Sequence, residues 1–504
     1  MQEVERYGVF EIRLDTVKGG QPPCAVFKRG EEFYTIRGFC ENEDEAAIRF
    51  MPRSEGVWHY TAKCNGHTLE GDFNCVPCSG VNHGPVVANG CHFAYADGTR
   101  YIPMGTTCYA WIHQPPELMA QTLETLKGVP FNKIRMCVFP KSMPYNQNEP
   151  LWFPFESKVG GGWDVHKPVA AFWRNLESNI AALAALGIEA DLILFHPYDR
   201  WGFSKMSRED NLTYLDYCIR RLAAYRNIWW SLANEYDLGF TKTIEDWDAF
   251  GEAVAALDPY GHLISVHNWV SIYPKRPWLT HVSIQKNDMS VAFNAREEYR
   301  LPVIVDECGY EGNIPFDWGN ITGFELINRM WTAFCFGCYC AHGETFHRDD
   351  EVLWWSKGGK LYGESPSRIR FLYEVLKTLP GVMEPYASVL INDPNASSSN
   401  PEHAAFLKNI MENMGEKERA QIIGELTKPI GRHPDYRLQY LRRSCPVYMD
   451  MRLPQNGRYR LEVIDVWEMT REIICQKASG DIRIDLPGKE GIAVLVTRLE
   501  GDEL

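Results

Sequence analysis

Apolar and polar positions follow three different rhythms along the chain. Over residues 1 to about 90, runs such as FEIRLDTV, FYTIRGF, AAIRFM and VWHYTAKC have strand character and tend to alternate apolar with polar. They are broken by KGGQPP, ENEDE, PRSEG and CNGH, whose glycine, proline and asparagine favour turns. A period of two marks strands with one buried face. Short strands at this spacing predict a small β-sandwich. HFAYADGTRYIPMG then predicts a hairpin turning at Asp97-Gly98.

From about residue 101 to 345 apolar strands alternate with amphipathic helices. Eight strand candidates occupy 101–111, 133–140, 189–197, 227–235, 262–269, 281–286, 302–309 and 338–346. Between them lie helical patterns such as PELMAQTLETLKG, VAAFWRNLESNIAALAALG, DNLTYLDYCIRRLAAY and IEDWDAFGEAVAALD. The second of these stops at Gly187, in the position that glycine favours after a helix. Eight β–α repeats in about 250 residues is the size of a TIM barrel. The competing architecture, a doubly wound open sheet, would carry a Gly-rich phosphate loop after an early strand. This sequence has none there.

Beyond about residue 380 the helical rhythm is lost. HAAFLKN, YRLQYL, CPVYMDMRLP, RYRLEVIDVWEMT, DIRIDLP and GIAVLVTRL predict a second β-sandwich, with DPNASSSNPE (393–402) as a surface loop. The expected fold is therefore α/β: a central (β/α)8 TIM barrel at 91–380, an N-terminal β-sandwich at 1–90 and a C-terminal one at 381–504.

Composition narrows what such a chain does. Its formal charge of −14 over 504 residues argues against a nucleic-acid partner, because the phosphate backbone would meet a repulsive field. No stretch approaches the 18 apolar residues of a membrane span. MQEVERYGVF is charged from its third residue, unlike a secretory signal, and the fifteen scattered cysteines suit a reducing compartment, so a cytoplasmic location is expected. The terminal GDEL is one letter from an ER-retention signal and, without a leader, reads as coincidence. A homo-oligomer is compatible with an acidic multidomain enzyme assembling through its sandwiches.

The strand ends carry the chemistry. Tyr109 and Trp111, His196 and Asp199, Asn234 and Glu235, His267 and Trp269, Gln285, Glu307 and Glu344 all fall where strands finish. In a TIM barrel those ends converge on the active-site rim. Glu235 and Glu307 lie 72 residues apart, about three βα units, which places them on strands four and seven at opposite sides of the barrel. Two carboxylates flanking a polar substrate are what glycosidic cleavage requires, one protonated to donate to the leaving oxygen and one ionised to attack C1. Asn234 would hydrogen-bond the hydroxyl beside the reacting carbon. His196, His267 and His342 suit donors to sugar hydroxyls, and Trp111, Trp152, Phe153, Trp163, Trp269, Trp354 and Trp355 suit stacking on sugar faces. The loop 142–164 is long enough to wall a closed, exo-type pocket.

SLANE on strand four and VIVDECG on strand seven resemble the paired signatures of the clan A glycoside hydrolases. The entry ADGTRYIPMGTTCYAW and exit HGETFHRDDEVLWWSKGGKLYGESP also resemble bacterial candidate glycosidases that join an immunoglobulin-like domain, a barrel and a C-terminal β domain. The resemblance covers almost the whole chain. It implies a retaining mechanism with Glu235 as acid/base and Glu307 as nucleophile, no cofactor, and a plant-derived oligosaccharide or glycoside as substrate, which the unlikeness of the first residues to a secretory signal suggests is imported. Clan members often show Asn-Glu-Pro, and Tyr236 stands here in place of the proline.

Other readings stay open. Glu235 would also suit a helix start. Arg135 would either hold the nucleophile ionised, as the clan's arginine does, or serve an internal salt bridge. Glu344 would be a third active-site carboxylate or a partner of Arg348, and Asp306, pointing the other way along its strand, is structural. A metal-dependent barrel hydrolase would normally pair two histidines one residue apart on strand one, and the chain has no such pair, so no metal is expected. A non-catalytic carbohydrate-binding protein would keep the aromatic rim without needing both glutamates.

Overall fold

The structure, a computed structural model, describes residues 1–17, 20–238, 241–386 and 428–499, with scattered positions between 402 and 418. The chain divides into two compact units. The first comprises Met1–Asn89, Phe93–Ser283 and His347–Leu361; the second comprises Gly90–His92, Ile284–Phe346 and Tyr362–Leu504. No helix among the described residues is long and apolar enough to cross a membrane.

The first unit opens with two sheets, one of five strands and one of three. Alternation works here as expected: in Gly56–Cys64, Trp58 and Ala62 are buried while Val57 and His59 are exposed. Rings from both sheets meet, with Phe10 stacked on Phe73 at 4.0 Å and Phe27 on Phe50 at 4.2 Å. The segment Glu45–Phe50 departs from simple alternation, being buried from Ala46 onward. One side joins the aromatic cluster. The other places Arg49 against Glu177. The hairpin at Asp97-Gly98 forms, pairing Phe93 with Tyr101 and Ala94 with Arg100.

The rest of the first unit is built on five parallel strands that neighbour one another in chain order: β1 (Gly105–Thr107), β2 (Lys133–Cys137), β3 (Glu189–Phe195), β4 (Ile228–Ala233) and β5 (Ile264–Ser265). Helices α1 (Pro116–Lys127), α2 (Ala170–Ala185), α3 (Arg208–Leu222) and α4 (Ile244–Leu257) connect them. Every residue of β3 and β4 is buried, as strands covered on both faces require. Ser207 caps α3 and a Thr243–Asp246 capping box starts α4. After α2, Gly187 adopts φ 71°, a left-handed geometry that a Cβ would strain. Beyond β5, His267 bridges Ser283 in parallel.

A second sheet runs in the order β6 (Val282–Gln285), β7 (Val303–Glu307) and β8 (Tyr339–Cys340), with β7 and β8 parallel. Helices α5 (Met289–Tyr299) and α6 (Gly323–Cys335) link these strands, and α7 (Ser365–Lys377) follows. All eight strand candidates thus contain a strand, each shorter than its apolar run, because the terminal residues turn away into loops.

The second unit ends in a six-stranded sheet and a two-stranded one over a core that includes Met451, Leu461, Ile484 and Val494. Five of the six predicted C-terminal runs are strands. HAAFLKN is not: the described residues Ala405 and Asn409 are helical, and the rest of that run, most of 393–402 and the terminal GDEL lie outside the described residues. Thr470–Ala478 is a strand that the pattern missed. It lies at the sheet edge with only Ala478 fully buried, and Ile474 and Cys475 meet the core from a half-buried face that does not alternate cleanly.

Candidate active site

In the first unit the ends of β1 to β5 assemble a connected polar cluster. β4 runs directly into Asn234 and Glu235. The backbone here is fastened on both sides, since Asn234 N donates to Phe195 O and Tyr236 N to His267 O. Glu235 itself sits at φ 51°, a left-handed conformation costing a non-glycine residue about 1–3 kcal/mol. The turn aims a buried carboxylate rather than a helix-start acid. Its Oε2 accepts from the Tyr198 hydroxyl and, at 3.0 Å, from Asn234 Nδ2. The Glu235 backbone N–H donates to His267 Nδ1 at 3.4 Å, which leaves the ring proton of a neutral His267 on Nε2.

Asn234 Oδ1 accepts from the Tyr109 hydroxyl at 3.2 Å, and Arg135 Nη1 donates to that hydroxyl at 3.4 Å. Arg135 Nε also lies 3.9 Å from Asp191, whose carboxylate is held by Lys133 at 2.6 Å. Tyr109, expected from sequence at a strand end on the rim, links Arg135 to Asn234.

Lys141, which no sequence pattern singled out, completes the cluster. Its ammonium lies 3.3 Å from the centre of the Tyr109 ring and 4.3 Å from that of Tyr198. Burial pushes it down to about 8, opposed by the negative fields of Cys137 and Glu235. The aromatic faces offset part of the lost hydration. Burial and the Glu235 charge likewise raise the Tyr198 phenol well above its ordinary value, so it remains a donor.

The remaining predicted residues of this unit separate into exposed and buried groups. His196 is pushed down to about 4 by burial and by Lys141, and its Nε2 lies 3.1 Å from Phe139 O. Trp111 is fully buried, as are Trp354 and Trp355, and Trp355 meets the Tyr109 ring edge-on at 5.9 Å. Trp269 is 48% exposed, and Asp237 accepts its backbone N–H together with those of Val270 and Ser271. The 142–164 loop contains half of a hairpin, Phe155–Ser157 paired with Trp163–Pro168. Trp163 stacks on Phe203 at 4.4 Å, while Trp152 is exposed.

The second unit holds the other predicted groups. Glu307 ends β7, and burial lifts it to about 8 against a hydrogen bond from Tyr310. Asp306 beside it is fully buried, and Gln285 ends β6 half-buried. His342 is buried and pushed down to about 3. Glu344 accepts the backbone N–H groups of Tyr362 at 2.7 Å and Gly363 at 2.8 Å, yet burial and the nearby Glu311 raise it to about 7. Glu311 was invisible in sequence. It accepts from the backbone of Glu364 and Ser365 and from the Ser365 hydroxyl, tying down the start of α7. Ligand atoms of Glu311, His342 and Glu344 lie within 4.8 Å of one another, close enough to hold an ion. A cation there would compete with the hydrogen bonds that fasten residues 362–365.

Comparison with known proteins places this geometry in context. Residues 87–359 match a family described as apiosidase-like, catalytic domain. Residues 3–65 and 427–497 match two domains of unknown function, DUF5060 and DUF5605. A crystal structure of a candidate glycoside hydrolase from Bacteroides vulgatus is 34% identical, covers 99% of this chain and 100% of its own, and superposes with a TM-score of 0.87. A glycoside hydrolase family 5 structure from the same organism is 16% identical over 82% of this chain and 94% of its own, with a TM-score of 0.60, a likeness of fold. No curated protein matches the chain.

Proposed function

The chain belongs to the apiosidase-like catalytic family and is a glycoside hydrolase, and from that premise we propose that it removes a terminal sugar from plant-derived glycosides by a two-glutamate double displacement. The family description points to an apiosyl or related pentofuranosyl residue as the sugar released. In this reading β1 to β8 close into a (β/α)8 barrel at 91–380 between β-sandwiches at 1–90 and 381–504. Glu235 and Glu307 then face one sugar from opposite strands.

The observation that carries the reading is the Glu235 carboxylate, buried at a strained strand end and gripped by Tyr198 and Asn234. Strain of that kind persists only where surrounding bonds enforce it, and it aims the carboxylate. Glu235 protonates the leaving oxygen and later deprotonates water, while Glu307 attacks C1. Trp269, an exposed ring on the loop after β5, stacks on the sugar in this reading.

A second assignment exchanges the two roles. Glu235 accepts from two donors, Tyr198 and Asn234, while burial favours a protonated Glu307, the state that an acid needs. The deciding experiment is hydrolysis of an aryl-glycoside panel, including apiosides and arabinofuranosides, by the wild type, Glu307→Ala and Glu235→Ala with azide. A glycosyl azide of inverted anomeric configuration from Glu307→Ala supports the first assignment, and from Glu235→Ala the second. Full activity in both variants on a substrate that the wild type cleaves would exclude the two-glutamate mechanism.

A further inference from the structure

The loop after β2 carries a lysine into the polar cluster of the first unit, and its ammonium meets no acceptor there. Lys141 is 2% exposed. Its Nζ faces the rings of Tyr109, Tyr198 and Trp355, with ring centres at 3.3, 4.3 and 5.6 Å. Among the described residues no carboxylate lies within 4.0 Å of it and no oxygen accepts a hydrogen bond from it. Glu235 acts on it through its field alone. An ammonium carries three N–H donors. Taking it out of water is costly, and ring faces return only part of that cost.

Packing does not account for the arrangement. A lysine that only covered apolar surface would lay its stem along it and keep the charged end in water. Here the surrounding backbone is fastened instead. Asn146 Nδ2 donates to Lys141 O, and Ser142 N donates to Tyr198 O at 2.9 Å. The cage is tied together as well, since Tyr109 N donates to Trp355 O at 2.9 Å. Buried donors of this kind take a partner from outside the chain, either water or a ligand.

Position decides which ligand. Tyr198 turns its ring to Lys141 and its hydroxyl to Glu235, and Tyr109 turns its ring to Lys141 and its hydroxyl to Asn234. A group that reaches Glu235 and Asn234 therefore comes within about one tyrosine's width of the ammonium. His196 Nδ1 and Trp111 Nε1 also lack partners among the described residues, but both atoms are sealed from solvent, and the Lys141 ammonium is not sealed in that way. A carboxylate seated here would stand beside the Glu235 charge and be repelled by it, whereas a hydroxyl oxygen accepts from the ammonium and adds no charge. We infer that Lys141 is a sugar-binding residue of the candidate active site, its ammonium donating to a hydroxyl of the glycosyl residue on which Glu235 acts. The inference rests on the glycosidase reading of Glu235 for the identity of that ligand as a sugar.

A double-mutant cycle between side chain and hydroxyl tests it. The probes are 4-nitrophenyl apioside and arabinofuranoside and their monodeoxy analogues, with the wild type, Lys141→Met and Lys141→Arg. On one deoxy analogue the wild type should lose at least about tenfold in kcat/KM, and Lys141→Met, already weakened about as much on the parent, should lose less than about threefold more. Lys141→Arg keeps a cation over the rings and moves the donors, so it should lose the discrimination too. It separates donation from the field on Glu235, and it carries the comparison if the methionine variant does not fold. Full activity of Lys141→Met, no deoxy penalty in the wild type, or the same penalty in all three proteins would overturn the inference. If the wild type cleaves neither parent glycoside, the cleavage reading fails for these sugars, and calorimetric titration with free apiose and arabinose decides the role of Lys141. Binding at least about tenfold weaker in Lys141→Met upholds it. Equal binding, or none by the wild type, overturns it.

Discussion

The Tyr198 hydroxyl donates to Glu235 Oε2, joining the loop after β3 to the turn after β4. Neither residue is near the other in sequence, and the bond sets the direction of the carboxylate. Asn234, on the same oxygen at 3.0 Å, makes the grip double.

Tyr198→Phe removes one of the two donors. A carboxylate that loses a donor is held less firmly in its reacting direction, so kcat falls by about 10- to 100-fold while KM changes little. An unchanged kcat would show that Tyr198 only fills space.

Lys141→Met tests the buried ammonium beside this pair. Burial lowers Lys141 to about 8 in the folded protein, below the ordinary lysine value of 10.5. The charged form is therefore penalised below pH 8, and the penalty lifts as pH rises from 8 towards 10.5. The variant should melt higher than wild type at pH 7, by up to about 3 kcal/mol in unfolding free energy, and the gain should vanish near pH 10.5. Lost contact with Tyr109 and Tyr198 reduces that gain. Activity should fall, because Glu235 loses a neighbouring cation. Urea melts at the two pH values read the first effect.

Glu307 gives the opposite sign. Its folded value near 8 exceeds the ordinary 4.5, so the folded state holds a proton that the unfolded state has released. Wild-type stability is then lost progressively as pH rises from 4.5 to 8. Glu307→Gln has nothing to ionise, and its advantage over wild type should grow across that window in thermal melts. If Glu307 must be ionised to attack, kcat/KM in the wild type climbs about tenfold per pH unit up to about 8. A flat profile between pH 6 and 8 would remove Glu307 from that role.

Glu177 accepts from both Arg49 and Arg221, and all three are buried. Replacing it with alanine leaves two guanidinium groups short of their shared anion, a loss of about 3–5 kcal/mol. Replacing Arg13, an exposed partner of Glu11, should cost less than about 1 kcal/mol. Chemical denaturation of the two variants compares them directly.

Much of this molecule is readable one segment at a time. A fully apolar run such as EADLILF is a strand because both its faces are covered, and Thr243 starts a helix because its side chain reaches Asp246 N. Asn234 and Glu235 stand out because acids seldom end a buried strand without a use. These are local consequences of periodicity, capping and solvation, so the order of strands and helices follows from sequence alone.

What tertiary structure decided depends on residues brought together from distant segments. Lys141 and Tyr198 sit in loops without periodicity, and only the alignment of β2, β3 and β4 sets them beside Glu235. Trp111 looked like a rim platform and is buried, while Trp269 is exposed, because neighbouring chain covers one and not the other. Arg49 carries a charge inside a strand since Glu177, 128 residues away, meets it. Burial and pairing are properties of three-dimensional neighbours, and they set the charge state of each group.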